Sequence, residues 1–135
     1  MTSNEAARNV RARFPARVFS RDVERYAHDS RAREVAETAR ARFAADGIPR
    51  AELVRCVAEG RDGTDLPGRL TIYLPLEATE RPFRMVFTPI ARESALALLY
   101  LAFGVAHQPY GSRAPTVYEI AHRRVHGGWP RRPPA

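Results

Sequence analysis

The apolar segment Ala95–Ala106 constrains the fold of this chain more than any other stretch of its sequence. It follows a shorter segment, Phe83–Thr88, and the two together hold the densest apolar content of the chain. In the shorter segment Phe83, Met85 and Phe87 fall on alternate positions, which predicts a strand with these three side chains on one face. The fold therefore depends on what the longer segment does beside this strand.

The residues of Ala95–Ala106 do not settle that question by themselves. Alanine and leucine favour a helix by intrinsic propensity. A strand that is covered on both faces also gives a continuous apolar run, so helix and strand both stay open. Pro89 is expected to end the preceding strand, and residues 90–94 to connect the two segments. The run is too short to cross a bilayer, which needs about 20 apolar residues, so no membrane association is expected.

The first half of the chain contains predicted helices. Ala16–Ser20 is a candidate strand, and Ser20 is the expected N-cap of the helix that follows it. Residues 31–46 predict a strong amphipathic helix that ends at Asp46-Gly47. Pro49 is expected to begin a further short helix.

The second half contains predicted strands and one more helix. Leu70–Leu74 alternates and has β-branched residues, so it predicts a strand, and Pro75 limits it. Thr116 is followed three residues later by Glu119, the spacing of a capping box that starts a final helix. Residues 60–68 predict a loop without the lysine ending of a phosphate-binding P-loop.

These elements together predict one α+β domain over residues 1–135. The expected architecture is a small antiparallel sheet of three to four strands, with N-terminal helices packed on one face and a short C-terminal helix. Residues 1–13 and 127–135 are expected to form a flexible arm and tail.

Charge gives the first indication of a partner. The chain has a net charge of +7, and all 22 of its basic residues are arginine. Guanidinium groups bind phosphate bidentately and stack on bases, so the surface suits a polyanion. Charge alone also fits a basic protein with no role in nucleic-acid binding.

Three further features limit the location and the chemistry that the sequence allows. The polar N-terminus lacks the apolar core of a signal peptide, which indicates a cytoplasmic protein. The single cysteine, Cys56, excludes an intrachain disulfide and is expected to be a small buried hydrophobe rather than a nucleophile. His122 and His126 are four residues apart, but the glutamate of a zinc motif and a third ligand are absent, so no metal or other cofactor is expected.

Four segments, taken in order, resemble a known family: Pro82–Phe87, Ala95–Phe103, Pro109 and Val117–Arg124. They are similar to the RelE-type toxins, and most similar to their phage-derived HigB-like branch. In that family an aromatic–arginine pair opens a strand, a leucine-rich strand ending in phenylalanine follows, then a basic pair, then a helix with glutamate, alanine and arginine. The resemblance covers about the last half of the chain and implies that the leucine-rich segment is a strand.

The resemblance also implies a function. It implies a ribosome-dependent, metal-independent mRNA endonuclease that a cognate antitoxin neutralises, with RNA, the ribosome and the antitoxin as partners. Arg84 stands where the family carries the strand arginine that contacts the scissile phosphate, and His107 lies near the position of its basic residues. The family's lysine pair is absent, because Val105 and Ala106 stand there, so an inactive or repurposed member also fits.

Such a cleavage needs a base, an acid and cations around the phosphate. His107 and Tyr73 are the expected proton carriers, and Arg81 and Arg84 the expected phosphate clamps. Further RNA contacts are expected from basic side chains elsewhere: Arg69, Arg92, His122, Arg123 and Arg124. The alternative function is a non-catalytic module that binds RNA, DNA or a protein partner, including an immunity or inhibitor protein that docks an acidic partner.

Overall fold

A computed structural model describes residues 9–56, 66–92 and 95–128 of the chain. Its elements in chain order are β1 (Asn9–Arg13), α1 (Ala16–Tyr26), α2 (Ser30–Asp46), β2 (Ile48–Pro49), a 3-10 turn (Arg50–Glu52), β3 (Leu53–Arg55), β4 (Leu70–Leu74), β5 (Phe83–Arg92), β6 (Ala95–Val105) and α3 (Val117–His126). The predicted α+β class, with two N-terminal helices and one C-terminal helix, is confirmed. No helix in these ranges is long and apolar enough to cross a membrane.

The sheet is larger than the sequence predicts. It has six strands in the order β2-β1-β6-β5-β4-β3, and it is mixed, because β1 runs parallel to β6 while the other pairs are antiparallel. The prediction of three to four antiparallel strands is therefore wrong. Residues 9–13, the end of the expected arm, form β1, and β2 and β3 are only two and three residues long. Such short strands give no readable alternation. Residues 1–8 of the arm, 129–135 of the tail and 60–65 of the loop lie outside the described residues.

The two central segments pair with each other over their whole length. The antiparallel ladder runs from Phe83 opposite Val105 to Arg92 opposite Ala95, so the leucine-rich segment is a strand. The strand is favoured over the helix here because β6 lies between β1 and β5 and has helices packed over it, so most of its apolar side chains from Leu98 to Phe103 are buried, on both faces of the sheet.

The expected end of β5 at Pro89 is wrong, since the strand continues to Arg92 and residues 90–92 pair with β6. β4 pairs only with Phe83–Phe87 of β5. Pro89 therefore lies where β5 has one strand neighbour, and an edge strand tolerates a residue without an N–H.

A β-bulge in β6 sets which of its side chains face each side of the sheet. Val86 lies opposite Ala102 and Phe87 opposite Tyr100, so Leu101 is the extra residue. As a result Tyr100 faces one core, and Leu101 and Ala102 face the other.

The two faces of the sheet are covered by different helices. On the first face α1 and α2 pack against the sheet through buried residues that include Phe19, Val23, Ala36, Phe43, Ile72, Met85, Phe87, Tyr100 and Phe103. On the second face α3 packs against the sheet through Leu66, Val86, Leu101, Ala102, Val117, Ile120 and Ala121. The N-terminal helices thus occupy one face as predicted, while α3 covers part of the face that carries Arg84.

The helix boundaries agree only in part with the prediction. Ala16–Ser20 is the start of α1 rather than a strand, because Phe19, Asp22 and Val23 form one buried stripe at helical spacing. Ser20 is therefore inside the helix, and Pro15 is its N-cap. The helix expected at Pro49 is also wrong, since a 3-10 turn and β3 follow that residue.

The strong helix predicted at 31–46 is confirmed as α2. The side chain of Asp29 accepts a hydrogen bond from the N–H of Ala32 at its start. Gly47 ends it at φ +80°, where a Cβ atom would lie 2.9 Å from the carbonyl oxygen of Val10. Only glycine fits this junction of α2 with the sheet.

A buried polar network joins α1, α3 and the bulge. Asp22, which is 1% exposed, accepts hydrogen bonds from Tyr100 Oη at 2.5 Å and from Arg124 at 2.6 and 2.7 Å. Arg124 Nη1 also donates to the carbonyl of Leu101 at 2.7 Å. The network therefore pairs a buried charge and holds both helices in fixed positions around the sheet.

Candidate functional site

Polar side chains collect on the second face of the sheet, at β4 and β5. Arg69, Thr71 and Tyr73 occupy alternate positions at β4, opposite the side chains of Leu70, Ile72 and Leu74 that face the first core. Arg84 of β5, Tyr118 of α3 and Cys56 after β3 lie beside them. These six residues are called the tyrosine–arginine cluster below: Cys56, Arg69, Thr71, Tyr73, Arg84 and Tyr118.

The closest contact in the cluster joins Arg84 to Tyr73. The two residues are cross-strand partners, and the guanidinium carbon of Arg84 lies 3.8 Å from the centre of the Tyr73 ring. Arg84 Nη1 donates to the carbonyl of Phe83 at 3.0 Å and to that of Arg81. Stacking and these hydrogen bonds hold the cation in one orientation.

Two guanidinium groups of the cluster carry a donor without a partner. The Nε atoms of Arg69 and Arg84 are buried and make no hydrogen bond to any described residue. Arg69 is otherwise held by a 2.8 Å bond from Nη1 to the carbonyl of Pro67. Leaving a buried donor unsatisfied costs about 1–3 kcal/mol. Two such donors in one cluster are therefore a feature that folding alone does not favour.

Burial keeps the neutral groups of the cluster protonated. It raises the pKa of the Tyr118 phenol above its ordinary value. It also raises the pKa of the Cys56 thiol to about 11, although the nearby Arg69 guanidinium acts in the opposite direction. Near neutral pH Cys56 is thus a thiol rather than a nucleophilic thiolate, and Tyr118 is a hydrogen-bond donor.

Sequence reasoning did not find Thr71 or Tyr118. Thr71 is buried and donates to the carbonyl of Met85 at 3.1 Å, and it lies beside Tyr118, where it offsets part of the rise in the pKa of that phenol. The alternation at positions 69, 71 and 73 was a readable signal for a polar face of β4. Nothing in the sequence shows that α3 brings Tyr118 to that face.

Arg81 was an expected phosphate clamp, but its guanidinium is bound to the turn between β4 and β5. It donates to the carbonyls of Ala78 and Leu76 and to the carboxylate of Glu52 at 3.0 Å. The structure therefore places the side chain of Arg81 on the turn and on Glu52.

His107 lies at the same end of the sheet as Arg84. It follows Val105, which pairs with Phe83, and its side chain is exposed. Arg92 lies at the other end of β5, eight residues or about 27 Å from Arg84 along the strand, and its side chain is outside the described side chains. His107 therefore follows the end of β6 that lies beside Phe83 and Arg84, and Arg92 lies at the opposite end of β5.

The three expected RNA contacts on α3 have different surroundings. Arg124 points inward to Asp22. The ring of His122 lies 4.0 Å from that of His126, and Arg123 is exposed. Among the side chains that the structure describes, no group of three or more metal-ligating residues occurs.

The fold and the cluster together define an α+β protein with an arginine–tyrosine group on the helix-poor face of a mixed sheet. Comparison of the chain with protein-family models, with curated proteins and with solved structures found no match.

Proposed function

We propose that the protein is a RelE/HigB-like toxin, a ribosome-dependent mRNA endonuclease that needs no metal, and that the tyrosine–arginine cluster with His107 is its active site. The observation that carries the proposal is the stacked Arg84, a half-buried cation beside two phenols, whose Nε atom bonds to no described residue. The proposal implies a cytoplasmic protein that a cognate antitoxin keeps inactive.

The order of elements supports the same proposal. The aromatic–arginine pair Phe83-Arg84 opens β5, and the leucine-rich strand β6 contains Phe103. The helix with Glu119, Ala121 and Arg123 follows as α3. This is the order of segments on which the resemblance to the RelE-type toxins rests.

The proposed chemistry is attack of a ribose 2′-oxygen on the adjacent phosphorus, with departure of the 5′-oxygen. Arg84 stabilises the negative charge that develops on the phosphoryl oxygens, and Tyr118, kept protonated by burial, donates a hydrogen bond to one of them. His107 accepts the proton of the 2′-hydroxyl, and Tyr73 orients Arg84 and supplies the proton to the leaving oxygen.

Expression in a bacterial host without any antitoxin tests the proposal. Induction of the natural chain should arrest growth, and mapping of mRNA 5′ ends should show new cuts inside translated regions. Arg84→Gln should relieve both effects, because it removes the cation. Arg31→Gln, which removes an exposed arginine on α2, is the matched control and should leave both unchanged. Harmless expression with intact mRNA would reject the proposal.

A second candidate is a non-catalytic module that binds RNA. It is favoured by the exposed arginines of the surface and by the apolar Val105-Ala106 where the family carries lysines. For such a module we expect RNA binding that weakens steeply as salt rises, and RNA that is left uncut. The mRNA map separates the two candidates directly.

A further inference from the structure

The outer face of α1 carries a regular row of arginines. Arg17, Arg21 and Arg25 are all exposed and stand four residues apart. In an α-helix this spacing sets neighbouring side chains about 6 Å apart along the axis and turns each by about 40°, so all three lie on one side. They are called the α1 arginine row below.

Within the part of the chain that the structure describes, no ion pair uses this row. The ion pairs between described residues involve Arg40, Arg42, Arg81 and Arg124, and none includes a member of the row. Glu24 is exposed within the same face, so the face keeps a net charge of +2, from three arginines and one glutamate. The other acidic residue of the helix, Asp22, is buried and paired with Arg124.

The row is exposed, and the helix that carries it is anchored to the core. A shallow depression of about 330 Å³ lies between Arg17 and Arg21, and the small side chains of Ala16 and Ser20 complete its lining. On its inner side α1 is anchored by Phe19 and Val23 in the core, together with the network around Asp22. A partner that binds here meets a helix backbone that is already in place, so only the arginine side chains have to be ordered on binding.

The composition of the face indicates the chemistry of its partner. Its exposed members Ala16, Arg17, Ser20, Arg21, Glu24 and Arg25 include no large apolar or aromatic side chain. The residues that dominate binding at protein interfaces are tryptophan, tyrosine and arginine in desolvated pockets, and this face offers only arginine, without an aromatic anchor. Phosphate contacts need only guanidinium and hydroxyl donors within reach of the backbone.

We propose that the α1 arginine row binds the sugar–phosphate backbone of single-stranded RNA, at a surface separate from the tyrosine–arginine cluster. α1 packs on the first face of the sheet, whereas the cluster lies on the second. The choice of RNA over other polyanions rests on the proposed function. The row would hold an RNA strand in a manner independent of its sequence and of any cleavage.

Binding of a 20-nucleotide uridine strand with 2′-O-methyl riboses tests the proposal, since this probe lacks the 2′-hydroxyl needed for cleavage. Fluorescence anisotropy of the full chain is measured from 50 to 300 mM salt. The variant R17Q/R21Q/R25Q should reduce the slope of log affinity against log salt by about 2, at about 0.7 for each lost phosphate contact. R17K/R21K/R25K keeps the charges and should restore the slope.

The matched control R31Q/R50Q/R113Q removes three exposed arginines from α2, the 3-10 turn and the loop before α3. Its slope should stay within about 0.7 of that of the natural chain. Equal flattening in both triple variants would overturn the proposal, because net charge and not the row would then drive binding. Absence of binding at 50 mM salt would overturn it too.

A polyglutamate of matched charge, added as competitor, separates RNA from an acidic protein. It should displace the probe at least tenfold less well than unlabelled RNA, and equal displacement would refute the assignment to RNA. Because the probe cannot be cleaved, this result does not depend on the proposed nuclease. If mRNA stays intact in cells while R17Q/R21Q/R25Q still flattens the salt dependence of RNA binding, the proposed nuclease is rejected and the proposed RNA contact of α1 stands.

Discussion

Arg81 and Arg84 are three residues apart, but their side chains have different surroundings. Arg81 binds carbonyls of the β4–β5 turn and the carboxylate of Glu52. Arg84 stacks on Tyr73 and keeps a buried Nε atom that bonds to none of the residues the structure describes. The first arrangement favours folding, and the second leaves a cation that a ligand can use.

Substitution at these two positions should therefore separate stability from function. Arg81→Ala should lower the free energy of unfolding by about 1–2 kcal/mol, because it removes the bonds that hold the turn. Arg84→Gln should change stability by less than that and abolish mRNA cleavage. Urea unfolding and the mRNA map are measured for both, with Arg50→Ala, exposed on the 3-10 turn, as the control for stability. Equal destabilisation by both changes would contradict this distinction.

The buried carboxylate of Asp22 gives a second prediction. Asp22→Asn should lower the free energy of unfolding by about 3 kcal/mol, because Arg124 and Tyr100 then face a neutral amide in a buried site. Glu24→Gln changes a neighbouring exposed carboxylate and should stay within about 0.5 kcal/mol of the natural chain. If the two variants unfold at the same urea concentration, the network is not the link between α1 and α3.

The raised pKa of the Cys56 thiol predicts that the folded protein loses stability at alkaline pH. The pKa of its thiol is about 11 in the folded protein against 9.0 without the fold, so the contribution of the buried thiol is complete below pH 9. It is lost as pH rises from 9 towards 11, because the unfolded chain releases the proton first. Urea midpoints at pH 8, 9 and 10 should fall less steeply for Cys56→Ala than for the natural chain. Parallel curves would count against a raised thiol pKa.

At the scale of elements, α3 determines how far the tyrosine–arginine cluster is covered. The helix starts with a complete capping box, in which Thr116 Oγ1 accepts from the N–H of Glu119 at 3.2 Å and the Glu119 carboxylate accepts from the N–H of Thr116 at 3.0 Å. Its first turn carries Tyr118 over β4. The cap therefore positions a residue of the cluster as well as the helix.

Thr116→Ala should lower the free energy of unfolding by about 1 kcal/mol and speed amide hydrogen exchange in the first turns of α3. Ser112→Ala is the matched control, because Ser112 also accepts a backbone hydrogen bond but lies in an exposed loop. It should change neither quantity. Equal exchange rates in α3 for both variants would show that the cap does not hold this helix.

At the scale of the whole molecule, local patterns predicted the elements better than their arrangement. The capping box at Thr116, the long amphipathic stripe of α2 and the alternation of 83–88 each depend on residues close in sequence, and all three are confirmed. The pairing of β1 with β6 joins residues that are more than 80 positions apart, and no local pattern contains it. The same reason explains why a three- to four-stranded sheet was predicted.

The residues of the candidate site were likewise predicted from local sequence, while their contacts depend on residues far apart in the chain. Tyr73 and Arg84 were predicted separately, and the register of β4 and β5 brings them into contact. Tyr118 was missed because α3 reaches the cluster only through packing on the second face. Arg124 was predicted as an RNA contact, but it points inward because Asp22, 102 residues earlier, is buried beside it. Charge and spacing cannot distinguish an exposed arginine from one that pairs with a distant carboxylate.

Cleavage of mRNA by the purified chain is the most direct test of the proposed active site. A translated mRNA on purified ribosomes is incubated with the natural chain or with Arg84→Gln, and its 5′ ends are mapped by primer extension. The natural chain should produce discrete cuts within the coding sequence only when ribosomes are present, and Arg84→Gln should leave the mRNA intact. Intact mRNA in both reactions would contradict the account.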